Sequence, residues 1–301
     1  MDDSALAKIL GRAATPAEAI QWACKLEATA PKAGNVYPGK SFDDLDYDDF
    51  VRAAESTANA FDDTNKSVAQ RALQAVSQVR QTSSNVNLGI VLLLVPLVAA
   101  DEETEIVDFE SWHPPITKFL QELGPSDSRL LFQTIQMASA GGLDEVDEMD
   151  VRDSTQHDDI IAAMRLAESR DRIAKQYSSG YRDFFNNVVP VIFQCLSSTK
   201  ELLSGISTAH LQLLAAHPDS LIARKCGPHT AGQVQKRASL IDLANQTQRD
   251  EFDRYLRSKG NRLNPGTTAD LIATALYVLM RTPGSTWPIR REKSGNHTNH
   301  K

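Results

Sequence analysis

Thr15-Pro16-Ala17-Glu18-Ala19-Ile20-Gln21-Trp22-Ala23-Cys24-Lys25-Leu26-Glu27-Ala28-Thr29-Ala30 reads as a helix that carries its own start signal. The Thr15 hydroxyl can cap the first turn, Pro16 suits the first helical position, and Glu18 completes a capping box. A helix is therefore predicted from Pro16 to about Ala30. Outward from it, apolar residues keep recurring at helical spacing and two-residue alternation is absent. Further helices are predicted at 46–62, 65–82, 88–100, 113–123, 126–139, 157–176, 180–197, 200–216, 218–225, 230–245, 248–259 and 267–281. No repeat period and no long Pro, Gly or Ser linker divides them. The expected fold is all-α, a single-domain multi-helix bundle over 1–283 whose polar inter-helix loops form the site. Residues 284–301, ending in SGNHTNHK, are expected to be a mobile tail.

Composition narrows the function. A hydrophobic fraction of 41% and a charged fraction of 24% allow an ordinary buried core. A net charge of -7 argues against nonspecific nucleic-acid binding, which needs clustered Lys and Arg. Cys24, Cys195 and Cys226 are too few and too scattered for a disulfide framework or a zinc ligand set, which fits a reducing cytoplasm. The most apolar run, Leu88 to Ala100, contains Pro96 and falls short of the roughly 20 residues a spanning helix needs. It reads as a core helix, so no membrane partner is expected. The histidines lack ligand spacing, and neither a nucleophile elbow, a P-loop nor a dinucleotide fingerprint occurs.

Four polar stretches stand out between helices. Pro31 to Asp49 holds Lys32, Gly34, Asn35, Gly39, Lys40 and the acids Asp43, Asp44, Asp46, Asp48 and Asp49. Glycines let backbone approach phosphate, lysines neutralise it, and adjacent carboxylates can hold Mg2+ through oxygen. The same residues equally describe a loop ending in an Asp46 cap with Asp49 three positions on. Asn85-Val86-Asn87-Leu88-Gly89 leads into the apolar helix, where Asn87 is either a plain N-cap or one of several groups aimed at an anion. Glu168 to Tyr177 puts Arg170, Ile173 and Tyr177 on one helical face, with Asp171 and Lys175 spaced to pair. The fourth unites Pro218 to Gly227 with Asn264 to Asp270, in which Thr267 could cap the last helix with Asp270 as its box partner. A helix start beside glycine and hydroxyls is also a phosphate site.

Taken in order, these stretches resemble the triphosphoribosyl-dephospho-CoA synthase family over roughly residues 20 to 282. The resemblance rests on Glu27 with Thr29 to Val36, Phe42-Asp43-Asp44-Leu45, Asn85 to Gly89, the acidic Gly141-Gly142-Leu143-Asp144, Asp219 to Lys225, and Gly266-Thr267-Thr268-Ala269-Asp270-Leu271. It implies an all-helical enzyme that joins the ribose C1 of ATP to the 2'-hydroxyl of 3'-dephospho-CoA and releases adenine. By the same resemblance Asp43, Asp44 and Glu27 would be catalytic, with Asp43 and Asp44 also holding Mg2+. Lys32, Arg224 and Lys225 would clamp phosphates. Gly34, Asn35, Asn85, Asn87, Gly89, Gly266, Thr267, Thr268 and Asp270 would line the nucleotide. The implied partners are ATP and dephospho-CoA or a pterin-type precursor, and a homodimer is allowed. Members from the citrate lyase pathway carry Thr-His-Lys-Gly where this chain has Val86-Asn87-Leu88-Gly89. That departure keeps two alternatives open: a step in tetrahydromethanopterin-type cofactor synthesis on the same scaffold, or a non-catalytic nucleotide-binding protein.

Overall fold

The computed structural model describes residues 3–82, 87–139 and 158–283, so Asn85, Gly141 to Asp144 and the tail 284–301 lie outside the described residues. The Thr15 hydroxyl accepts the Glu18 amide and starts α1 at Pro16–Thr29, while the Glu18 carboxylate accepts from the Ala14 amide, one residue before the cap, so the expected reciprocal box on Thr15 is not closed. Asp46 and Asp49 form the reciprocal capping box that starts α2, Tyr47–Phe61. Then follow α3 (Val68–Thr82), α4 (Leu88–Glu103), α5 (His113–Glu122), α6 (Pro125–Ser139) and α7 (Ile160–Ala167). The second half holds α8 (Arg172–Ser179), α9 (Val189–Ser197), α10 (Leu202–Ala216), α11 (Ser220–Cys226), α12 (Pro228–Ala238), α13 (Gln246–Arg257) and α14 (Gly266–Arg281). Against the expected all-helical class, the described residues hold only a short extended segment, Ser258–Asn261, and isolated bridges at Tyr37–Lys40 and Phe42–Leu45.

Two helices make the centre. From Ile90 to Val98, α4 is buried on every side, and α14 is buried from Thr267 to Met280 except at Asp270. They pack on one another, with α1, α9 and α10 against α14 and α3, α5 and α8 against α4. Pro96 inside α4 has no N–H to give the Leu92 carbonyl four residues back. Tyr177 of α8 supplies the missing donor, its hydroxyl 2.7 Å from that oxygen, and Tyr181 donates to the next carbonyl, that of Leu93, at 2.7 Å. An orphaned buried carbonyl would otherwise cost about 1–3 kcal/mol. A second apolar cluster, including Leu211, Leu214, Val234, Phe252 and Leu256, joins α10 to α13.

The helix expected over 157–176 is two helices. The Asp171 carboxylate accepts the amides of Ile173 (2.8 Å) and Ala174 (3.2 Å), capping α8 and ending the continuity with α7. Arg170 therefore shares no helical face with Ile173 and Tyr177, and Lys175 reaches Asp183 (3.7 Å) instead of Asp171. Capping wins because it satisfies buried amides, whereas an exposed i,i+4 pair adds only about 0.3–0.5 kcal/mol. The segment expected as one helix over 180–197 opens with a π-turn, Phe184–Val188, and that expected over 230–245 ends at Ala238. No helix among the described residues is long and apolar enough to cross a membrane.

Candidate active site

The chain leaving α1 turns inward at once. Lys32 is fully buried, its ammonium 2.9 Å from the Glu27 carboxylate, and it also donates to the backbone oxygens of Glu27 and Ala30. An ammonium has three protons, and all three are spent here. This corrects the expectation that Lys32 clamps phosphate: its charge holds Glu27 inside the protein and folds the loop back on α1.

The loop beyond it is stitched to α13 and to the segment before α14. Gly34 has φ +75, donates to Asp253 Oδ1 at 2.8 Å, and leaves no room for a side chain, since a β-carbon would lie 2.7 Å from Leu256. Asn35 Nδ2 donates to Asn264 Oδ1 at 2.6 Å, while its own Oδ1 is buried without a partner. Arg257 binds Asp253, donates to the Asn35 carbonyl, and lies over the rings of Tyr37 (5.6 Å) and Phe42 (5.0 Å). Asp43 and Asp44 are thereby set at an exposed rim, where Asp44 accepts from Asn261 Nδ2. Asn261 Oδ1 in turn accepts from Lys225 at 3.4 Å, so Asp44 and Lys225 share a neighbour.

The starts of α4, α8, α11 and α14 converge above the end of α1. Asp219 ties two of them: Oδ1 caps α11 through the amides of Leu221 (2.9 Å) and Ile222 (3.1 Å), and Oδ2 accepts both the amide and the hydroxyl of Thr268 at 2.8 Å. Ser220 donates to the Thr267 hydroxyl (3.0 Å), and Arg172 of α8 donates its amide to Ser220 (3.3 Å). Arg224 pairs with Asp171 at 3.1 Å. Gly266 allows close packing on α11, where a β-carbon would meet Leu221 at 2.5 Å. Thr267 is thus no cap and shares no box with Asp270; the cap position is Pro265, which lacks a side-chain bond. Asn87 does occupy the N-cap position of α4, but its side chain bonds no amide of that helix. Its amide donates to Thr57 of α2, and its Oδ1 is buried without a partner.

Asp270 lies in this junction with its carboxyl against Gly89, and accepts no hydrogen bond from a described residue. Burial raises its pKa well above the usual carboxylate range; Glu27, Asp219 and Asp171 raise it further, and Arg224 pulls it back. Burial also raises Asp219, against the bonds from Thr268, Ile222 and Leu221. Behind Lys32, His210 of α10 is fully buried with neither ring nitrogen bonded. Burial and then the Lys32 charge hold its pKa down to about 3.

The structure thus brings together Glu27, Gly89, Arg224, Gly266, Thr267, Thr268 and Asp270, sets Asp43, Asp44 and Lys225 at the rim, and keeps Asn35 and Asn87 buried in the walls. Asp219, Arg257, Asn261 and His210 play parts that single-chain reading did not assign. Asp219 carried a visible signal, a cap residue followed by Ser and two apolar positions, but its bonds to Thr268 span 49 positions. His210 carried none, being one polar residue on a buried helix.

A solved structure from Archaeoglobus fulgidus, described provisionally as a triphosphoribosyl-dephospho-CoA synthase, shares this fold with a TM-score of 0.62 at 21% identity, over 78% of this chain and 98% of that one. No curated protein matches with significance. The CitG family model, ATP:dephospho-CoA triphosphoribosyl transferase, matches residues 13–287, so the chain belongs to that family of transferases.

Proposed function

We propose that the junction of α4, α8, α11 and α14 is where this transferase moves the triphosphoribosyl group of ATP to the 2'-hydroxyl of 3'-dephospho-CoA. The observation that carries this reading is that stretches distant in the chain, at Glu27, Gly89, Asp219 to Lys225 and Gly266 to Asp270, meet at one place. The chemistry of the junction suits the substrate. Arg224 and Lys225 place positive charge for a polyphosphate at its edge. Enclosed acids face the place where positive charge builds on the ribose as the base departs.

Among the described residues, no three His, Cys, Asp or Glu side chains stand close enough to hold a metal by themselves. Mg2+ fits this reading as part of Mg-ATP, with phosphate and water oxygens as most of its ligands and Asp43 or Asp44 adding one or two. The three cysteines are free, in keeping with a reducing cytoplasm. The family match favours this reaction over a step in pterin-type cofactor synthesis and over a non-catalytic role. Mass analysis after mixing the protein with ATP, Mg2+ and 3'-dephospho-CoA tests it: free adenine and a triphosphoribosyl conjugate are expected. ADP or AMP without adenine would overturn the reading.

A further inference from the structure

Three acids cap or bridge within the junction. Asp171 and Asp219 each spend oxygens on helix amides, and Glu27 is neutralised by Lys32. Asp270 does none of this. A carboxyl in a helix junction normally takes hydrogen bonds or a cation; that of Asp270, on a partly exposed residue, takes no bond from a described residue and is open to a ligand. Its place in the second turn of α14 rules out service as an N-cap, and its carboxyl sits in a slot open only because residue 89 has no side chain.

Resting on the function proposed above, we propose that Asp270 is the acid that protonates adenine as it leaves. In that step the C1'–N9 bond breaks and its electron pair goes to the purine. The Asp270 carboxylic acid gives its proton to a purine nitrogen, and the acceptor's 2'-oxygen forms the new bond to C1'. The hydroxyl proton passes to water, and water returns one to Asp270, so protons balance over a turnover. The surroundings favour the acid form. Glu27 from α1, Asp171 capping α8 and Asp219 capping α11 all oppose a further negative charge, α4 offers only Gly89, and Arg224 alone among these groups favours ionisation. A neutral acid is also compatible with a polyphosphate nearby, where a carboxylate would repel it.

Leaving-group dependence tests the assignment. Asp270→Asn and wild type are compared with ATP and with 6-chloropurine riboside triphosphate, whose electron-poor base departs without prior protonation. General acid catalysis is typically worth 10²–10⁴-fold. Asp270→Asn is therefore expected to lose on the order of 100-fold or more in kcat with ATP, to lose about tenfold or less with the chloropurine donor, and to keep its Mg-ATP affinity. Wild-type turnover of ATP should fall as pH rises through the pKa of Asp270, and Asp270→Asn with the chloropurine donor should lack that alkaline fall. Equal losses with both donors, or full activity of the variant on ATP, would overturn the proposal. Asp270→Ser gives the same comparison should the Asn variant misfold. A wild-type protein that binds Mg-ATP yet releases no adenine removes the reading this rests on, and the proposal falls with it.

Discussion

A carboxylate oxygen of Asp270 lies 2.0 Å from the point where a β-carbon on residue 89 would stand, with Ile173 Cδ1 2.7 Å from that same point. Gly89 sits in the first turn of α4, where alanine would ordinarily improve helix stability by about 1 kcal/mol. The glycine is therefore explained by its neighbour in space, not by its own helix.

Gly89→Ala should leave the fold intact and displace the Asp270 carboxyl. Misplacing a reacting group by about 1 Å can cost on the order of 100-fold in rate. We expect kcat for adenine release to drop by 10-fold to 100-fold while the melting temperature moves by only a few degrees, roughly what ~1 kcal/mol produces in a chain of this size. Unchanged kcat, measured beside a thermal melt, would show that the slot has no bearing on the chemistry.

Lys32→Met should be felt in stability. With its ammonium gone, Glu27 is left buried and unpaired. Breaking a buried pair by removing one partner typically costs about 3–5 kcal/mol, whereas replacing both is far milder. Urea unfolding should show a loss of that order for Lys32→Met and recovery of about half or more in Glu27→Gln/Lys32→Met. If Lys32 instead clamped phosphate, the single variant would unfold normally and bind ATP weakly.

His210 makes the fold acid-sensitive. Its pKa is held to about 3 in the folded protein, below the ordinary value of 6.5, so the unfolded chain binds a proton that the folded one refuses. Stability from this group is full above pH 6.5 and is lost as pH falls from there toward 3. At pH 5 the loss comes to about 2 kcal/mol at 1.36 kcal/mol per unit. His210→Leu should shrink the difference between urea midpoints at pH 7 and pH 5 by about that amount. An equal difference in both proteins would place the acid sensitivity elsewhere.

What could be read from the chain was whatever is settled within one or two turns. The Thr15 cap on Glu18, the Asp46–Asp49 box, the apolar α4 and the run of helices all follow from contacts three or four residues apart. Those interactions are local, and their geometry is nearly independent of the rest of the molecule. The polar stretches that meet at the junction were legible as composition, yet their roles were not. Asp171 could equally pair with Lys175 or cap α8, and Thr267 could cap α14 or accept from Ser220; packing chose the second in each case. Lys32 looked like a phosphate ligand until the turn after α1 placed it beside Glu27, and Asp270 looked like a capping acid until α4 met α14. Burial decides whether a charge is spent on the protein or kept for a substrate. Burial is set by helices brought together from distant parts of the chain, so only the tertiary structure could separate the junction acids that hold this fold, Asp171, Asp219 and Glu27, from Asp270.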